Sequence, residues 1–210
     1  MSKKVYIVGG FDAAYARMFR NNGWEVTSNT EDCDLVQFTG GEDVSPELYY
    51  EARHPTTYSR AERDRHEMEV FKNAITLNKP MAGICRGGQF LNVMNGGKLF
   101  QHVTNHTRSH LATYCVDGRS VLVTSTHHQM FRPSVEGQVF LLADEGGTKE
   151  FMAADGSIAS VPVGSMVDVE GVFYPKTRSV CFQPHPEFNE GDSLTKLYFD
   201  VLNDFIFNQF

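Results

Sequence analysis

Apolar and polar positions along this chain fall into two textures that meet near Gly97. In the first, short apolar runs alternate with segments of helical periodicity. "KKVYIVGG" ends in paired glycines, and "FDAAYARMFRNNG" follows with Ala14, Met18 and Phe19 at helical spacing until Gly23 stops it. "WEVTS" and "CDLVQFTGG" read as strands, and "RAERDRHEMEVFKNAITLN" as a charged amphipathic helix. "KPMAGIC" then reads as a buried strand feeding a helix in "RGGQFLNVMNGG". Strands that alternate with helices predict an α/β fold: an open, mostly parallel sheet covered by helices on both faces.

Beyond Gly97 the pattern becomes β-rich. "RSVLVTSTHH", "GQVFLLAD", "SMVDVEGVFY" and "RSVCFQPHPE" read as strands before a closing helix in "SLTKLYFDVLNDFIFNQF". There is no internal repeat and no low-complexity tract. A length of 210 residues fits a single domain spanning 1–210 with an additional β-rich segment, long enough to bury a substantial core.

Composition narrows the function classes. With 41% hydrophobic and 21% charged residues the chain reads as an ordinary globular protein, and a net charge of -7 argues against a nucleic-acid partner held through phosphates. No apolar run approaches the roughly 20 residues that span a bilayer, and "MSKKVYIVGG" is too short in apolar character for a signal peptide, so no membrane partner and a cytoplasmic location are expected. Cys33, Cys85, Cys115 and Cys181 show no C-x-x-C pairing, which predicts reduced thiols. "GGFDAAY" lacks G-x-G-x-x-G spacing, so no dinucleotide cofactor is expected.

Chemistry concentrates at Gly83-Ile84-Cys85-Arg86-Gly87, which has the form G-x-nucleophile-x-G with a strand before and a helix after. Glycines on both sides allow a strained turn that projects the thiol at the C-terminal end of a strand, where open α/β sheets place their sites. The helix that follows supplies unpaired N–H groups and a positive dipole end, which favour thiolate and can hold an oxyanion. A nucleophile of this kind needs a base held by a third group. "CFQPHPEF" offers His185 with Glu187 two residues on, which projects to the same side of an extended segment.

Other features have blander readings. His102, His106 and His110 are spaced by four, as ligands on a helix are, but "GGKLFQHV" reads as a strand entering a loop, so no metal site is expected. The charge run "ERDRHEMEVF" reads as a solvated helix face with pairs such as Arg63 and Glu67. The loop before it borders the candidate substrate entrance.

The G-x-C-x-G-x-Q elbow in "GICRGGQ" and the later "HPE" resemble the class I glutamine amidotransferase superfamily. "FTGGEDVSPELY", "ERDRHEMEVFKNAITLNKPMAGICRGGQFLNVMNGGKLFQ", "STHHQ" and "FQPHPE" are most similar to its gamma-glutamyl hydrolase branch, which includes gamma-glutamyl-GABA hydrolase. The resemblance implies a flavodoxin-like fold and cleavage of a γ-glutamyl amide through a thioester on Cys85. His185 would serve as base and acid, and Glu187 would orient it. It also implies an oxyanion hole from Arg86 and Gly40 or Gly41, and substrate contacts from Gln89, Thr126 and His127, with no cofactor. Pro184 stands where an aromatic is usual in the family, a difference that removes one wall of the site, and Thr124 where asparagine is usual. The 145–166 segment has no counterpart in the pattern.

Two readings compete with a stand-alone hydrolase. A glutaminase subunit would use the same residues but pass ammonia to a separately encoded synthetase. A non-catalytic regulatory protein would be marked by a lost triad, and here all three residues are present.

Overall fold

The structure, a computed structural model, describes residues 2–9, 13–104, 106–144, 148, 150–152, 155–160, 168–188 and 191–208. In chain order the first half runs β1 (Lys4–Ile7), α1 (Ala13–Asn21), β2 (Glu25–Thr27), β3 (Leu35–Phe38), α2 (Ala61–Thr76), β4 (Met81–Ile84) and α3 (Arg86–Met94). The second half adds β5 (Lys98–Phe100), β6 (His110–Tyr114), β7 (Arg119–Val123), β8 (Met130–Arg132), β9 (Gln138–Ala143), β10 (Glu150–Met152), β11 (Ile158–Ser160), β12 (Val169–Tyr174), β13 (Ser179–Phe182) and α4 (Ser193–Leu202).

Among the described residues, nine strands form one sheet in the order β2-β1-β3-β4-β13-β12-β9-β6-β7. The α/β class expected from the sequence is therefore present. Of the β-rich segment, β5 pairs with β8 and β10 with β11 in two small antiparallel sheets of their own, and the rest joins the large sheet. Strands β12, β9, β6 and β7 continue the sheet in antiparallel fashion from β13 outward, whereas β2, β1, β3, β4 and β13 pair in parallel.

Period-2 side-chain direction explains the uninterrupted apolar runs of the central strands, which are buried on both sides. Val5, Ile7, Leu35, Ala82, Ile84, Val180 and Phe182 join one core cluster with Phe19 of α1 and Leu197 and Tyr198 of α4. Val36, Phe38, Met81 and Cys181 point the other way, to Val70 of α2 and Phe90 and Leu91 of α3. Asp192 begins α4 by accepting from the N–H groups of Leu194 and Thr195, each at 3.0 Å.

The charge run of α2 is not a wholly solvated face: Asp64 and Glu67 are buried and both pair with Arg86. "RSHLATY", to which the sequence pattern assigns no element, contains β6, a strand with one half-solvated face whose mixed composition masks alternation. Of the 145–166 segment, the hairpin strands β10 and β11 are described, while 145–147, 149, 153–154 and 161–167 lie outside the described residues. Among the described residues no helix is long and apolar enough to cross a membrane.

Candidate active site

Cys85 sits between β4 and α3 at φ 50° and ψ −114°, a backbone region that side chains rarely occupy. The turn is that tight because α3 starts immediately and packs back on the sheet. A Cβ on Gly87 would lie 2.5 Å from the Phe38 carbonyl oxygen, and one on Gly88 would lie 2.9 Å from the Phe182 nitrogen. The Cys85 N–H donates to Phe182 O at 2.8 Å, which ties the strained residue to β13.

β13 leads directly into the segment that carries His185 and Glu187. His185 Nδ1 donates to Glu187 Oε1 at 2.6 Å, and the imidazole is also hydrogen-bonded to Cys85. The His185 backbone N–H donates to Thr124 Oγ1 at 2.7 Å, so the threonine that replaces asparagine positions the histidine's main chain. Burial acts to lower the His185 pKa. The hydrogen bonds to Cys85 and Glu187 outweigh it and raise the pKa to about 10, which favours an imidazolium beside the sulfur. Tyr15 and Tyr198 flank Glu187; burial, then the charge of Glu187, pushes the Tyr15 phenol far above its usual range.

The "TGG" turn after β3 brings Gly40 against this pair. A Cβ there would lie 3.0 Å from His185 Cε1 and 3.8 Å from Cys85 Cβ. The Gly40 N–H donates to Tyr15 Oη at 2.9 Å, while Gly41, at φ 135°, borders the cavity beside Cys85. Arg63 holds the turn: Nη2 donates to Thr39 O at 3.0 Å and Gly40 O at 2.9 Å, and Nη1 to Glu42 at 2.9 Å. Its bond to Glu67, 2.9 Å through Nε, is the i,i+4 pair read from the sequence, but it links the turn to the buried Arg86 side chain. Burial first, then the charge of Arg63, brings the Arg86 guanidinium down to about 10.

A cavity of about 240 Å³ opens over Cys85, lined in part by Gln89, Thr126, Thr56 and Tyr58. It lies below the roughly 300–1,000 Å³ that drug-sized ligands occupy, so it suits a ligand near amino-acid size. Gln89 is held by its side-chain amide, which donates to Gln129 O at 3.1 Å and Gln183 Oε1 at 3.2 Å.

The two adjacent histidines after β7 diverge. His127 turns its ring away into a buried cluster, with Nδ1 donating to Gln129 O at 2.9 Å, and burial brings its pKa down to about 4. Both histidines line the cavity, and His128 Nε2 lies 3.1 Å from Asp43 Oδ1, a bond that raises its pKa despite burial. Asp43 and His128 went unnoticed as site residues because the doublet gives no sign of which ring faces inward. Phe188 was also missed. Its ring stacks on His185 at 4.3 Å and 4°.

The three histidines spaced by four do not share a helix. His102 stacks on His54 at 4.4 Å, whereas His106 and His110 meet Glu170 of β12.

A family model described as peptidase C26 matches residues 18–151. The protein NtpR of Enterococcus hirae is 32% identical over 133 residues, 51% of this chain and 56% of that one. A glutamine amidotransferase-like protein of Lactococcus lactis is 35% identical over 140 residues, 56% of this chain and 58% of that one. These matches span less than two thirds of the relatives' own lengths. Among solved structures, PurLQS from Thermotoga maritima superposes with a TM-score of 0.68 at 16% identity, covering 97% of this chain and 99% of that one. A protein from Thermoplasma acidophilum, described as part of a GMP synthase, does so at 0.65 and 16%, covering 97% and 94%. Both share the class I glutamine amidotransferase fold seen here.

Proposed function

The chain belongs to the peptidase C26 family, and on that premise we propose that it is a cysteine hydrolase of γ-glutamyl amides. The observation that carries this reading is the joined set of Cys85 at its strained elbow, His185 hydrogen-bonded to it, and Glu187 at 2.6 Å from the histidine, beside a cavity of amino-acid size.

The Cys85 sulfur attacks the γ-carbonyl carbon of the substrate. Charge moves onto the carbonyl oxygen, which the N–H groups of Arg86 and Gly41 receive. Two such preorganised donors act most strongly on the tetrahedral state, where the charge has developed. Gly40 is the weaker candidate for this task, because its N–H is engaged by Tyr15. The C–N bond breaks as imidazolium His185 gives its proton to the leaving amine, and a thioester remains on Cys85. Neutral His185 then removes a proton from water, which attacks the thioester and releases glutamate. Thiolate and imidazolium are thereby restored. Glu187 holds Nδ1–H throughout and so leaves Nε2 to the reaction. Gln89, Thr126, and the Asp43 and His128 pair supply the polar contacts for the α-amino and α-carboxylate groups of a glutamyl substrate.

The test is glutamate release from L-glutamine and from a panel of γ-glutamyl amides by purified protein, with Cys85→Ala as control. Turnover of an amide that disappears in the variant supports the hydrolase. Folded protein inert on every amide overturns it. The second reading, a glutaminase that delivers ammonia to a separate synthetase, draws on the likeness to a protein described as part of a synthase. It is favoured if glutamine turnover appears only in the presence of a partner.

A further inference from the structure

A second constellation lies behind the cavity wall, on the antiparallel half of the sheet. His110 of β6, Glu170 of β12, and His106 and His127 from adjoining loops bring four donor atoms toward one point. Glu170 Oε1 lies 3.3 Å from His110 Nε2, 3.6 Å from His106 Nδ1 and 3.8 Å from His127 Nε2. Glu170 is fully buried, and among the described residues neither of its oxygens has a partner at ordinary hydrogen-bond geometry; its nearest cation is the half-buried His110, whose pKa it raises from 3.3 Å, and His127 Nε2 is likewise unpartnered. A buried carboxylate left like this is costly unless a cation sits beside it.

The other nitrogen of each ring is already committed. His106 Nε2 faces Asp168 Oδ2 at 2.9 Å and Thr148 Oγ1 at 3.0 Å. His127 Nδ1 donates to Gln129 O at 2.9 Å, and His110 Nδ1 lies 3.4 Å from Arg108 O. An acceptor on the outer nitrogen puts the proton there and leaves the inner nitrogen with its lone pair, the arrangement that orients metal-binding histidines. Besides Glu170, the inner nitrogen of His106 meets the Ser125 hydroxyl at 3.4 Å.

Distances separate a metal from a shared proton. A charge-assisted N–H···O bond closes to about 2.7–2.9 Å. Ligand atoms of a tetrahedral zinc, each about 2.0–2.1 Å from the metal, stand roughly 3.3–3.4 Å from one another along the edges. His110 Nε2, at 3.3 Å, keeps the second kind of spacing from the oxygen, and the His106 and His127 nitrogens stand a few tenths of an ångström further out, at 3.6 and 3.8 Å. The inner atoms of His106, His110 and Glu170 also lie within 4.8 Å of one another.

We propose that His106, His110 and Glu170, with His127 as fourth donor, bind a divalent transition metal ion of the zinc class. Such an ion ties β6 and β12 to the 124–129 segment. That segment contributes Thr126 and His128 to the cavity and Thr124 to His185. The role is a structural one, which supports the shape of the neighbouring site.

The experiment uses full-length protein carrying Cys85→Ala, which keeps zinc off the reactive sulfur. After chelator treatment and dialysis, zinc is titrated while bound metal and Tm are followed, and cobalt(II) is added separately for its tetrahedral visible absorption. About one ion per chain, a raised Tm and the cobalt spectrum are expected. His110→Ala, at the more exposed member of the cluster, and Glu170→Gln should each abolish all three signals, and Asp168→Asn should weaken zinc binding about 10–100-fold. Because His110→Ala is the variant least disruptive to folding, it decides if Glu170→Gln does not fold. Binding by the wild type but not by Cys85→Ala overturns the proposal, and so does folded Cys85→Ala protein that takes up no zinc. Retained binding in folded His110→Ala protein also overturns it.

Discussion

The molecule holds two buried assemblies of histidine and carboxylate, and they differ in where the imidazole nitrogens point. At the elbow, His185 has one nitrogen on Glu187 at 2.6 Å and its ring hydrogen-bonded to Cys85, so in the proposed reaction the histidine carries and moves a proton. In the rear cluster each ring spends its outer nitrogen on an acceptor and turns the inner one toward Glu170, at distances too long for a charge-assisted hydrogen bond. The same residue types at comparable burial are thus prepared for proton transfer in one place and for coordination in the other. The difference comes from the acceptors around each ring, more than from the rings themselves.

The sharpest way to break this contrast is to remove the nucleophile. Cys85→Ala should lower turnover of a γ-glutamyl amide by about 10⁶-fold, by analogy with nucleophile knockouts in other triads, while leaving zinc uptake by the rear cluster intact. Steady-state glutamate release and metal analysis on one preparation check both halves.

Glu187→Gln should cost about 10⁴-fold in kcat with little change in KM, because the wrong tautomer of His185 is then favoured. The same variant sharpens the pH argument. His185 has a folded pKa of about 10, above the ordinary 6.5, so its stabilising contribution is complete below about 6.5 and is lost as pH rises toward 10. The wild-type kcat/KM profile should therefore fall on its alkaline side near pH 10, as the imidazolium that protonates the leaving amine disappears. In Glu187→Gln that limb should move to lower pH; an unmoved limb assigns it to another group.

Arg86 links the elbow to α2, and Arg86→Ala leaves the buried Asp64 without its cation and Glu67 with Arg63 alone. A loss of about 3–5 kcal/mol in urea unfolding is expected, several times that of truncating an exposed arginine such as Arg60. The smallest effect is expected at Phe188. Phe188→Ala removes a stacked ring that contributes about 0.5–1.5 kcal/mol, and kcat/KM should drop by no more than about tenfold.

The parallel half of the sheet was legible because its strands are buried on both faces and its helices are periodic, so local pattern and tertiary role coincide. The elbow was legible for a related reason: Gly83, Gly87 and Gly88 sit where a Cβ would collide with backbone, so the steric demand is written directly as residue identity. The rear cluster was not. Its members come from a loop, from β6, from the segment after β7 and from β12, and nothing local announces that Glu170 is the point where three rings converge. The spacing of His102, His106 and His110 was read as giving no metal site, and it conceals that His106 and His110, though not His102, meet at Glu170. Similarly, the charges of α2 looked solvated because their partner, Arg86, lies on a different helix.

The conformation of Cys85 has one further implication. Positive φ at a residue with a Cβ strains the backbone by about 1–3 kcal/mol, whereas glycine tolerates it at little cost. At most positions of a buried core, deleting a side chain loosens the protein. Here Cys85→Gly should leave Tm unchanged or raise it, even as activity vanishes, while Cys85→Ala, which keeps the Cβ, should not share that relief. Selection on durability alone would therefore drift toward the dead enzyme, and the cysteine persists at this turn only as long as its chemistry is used.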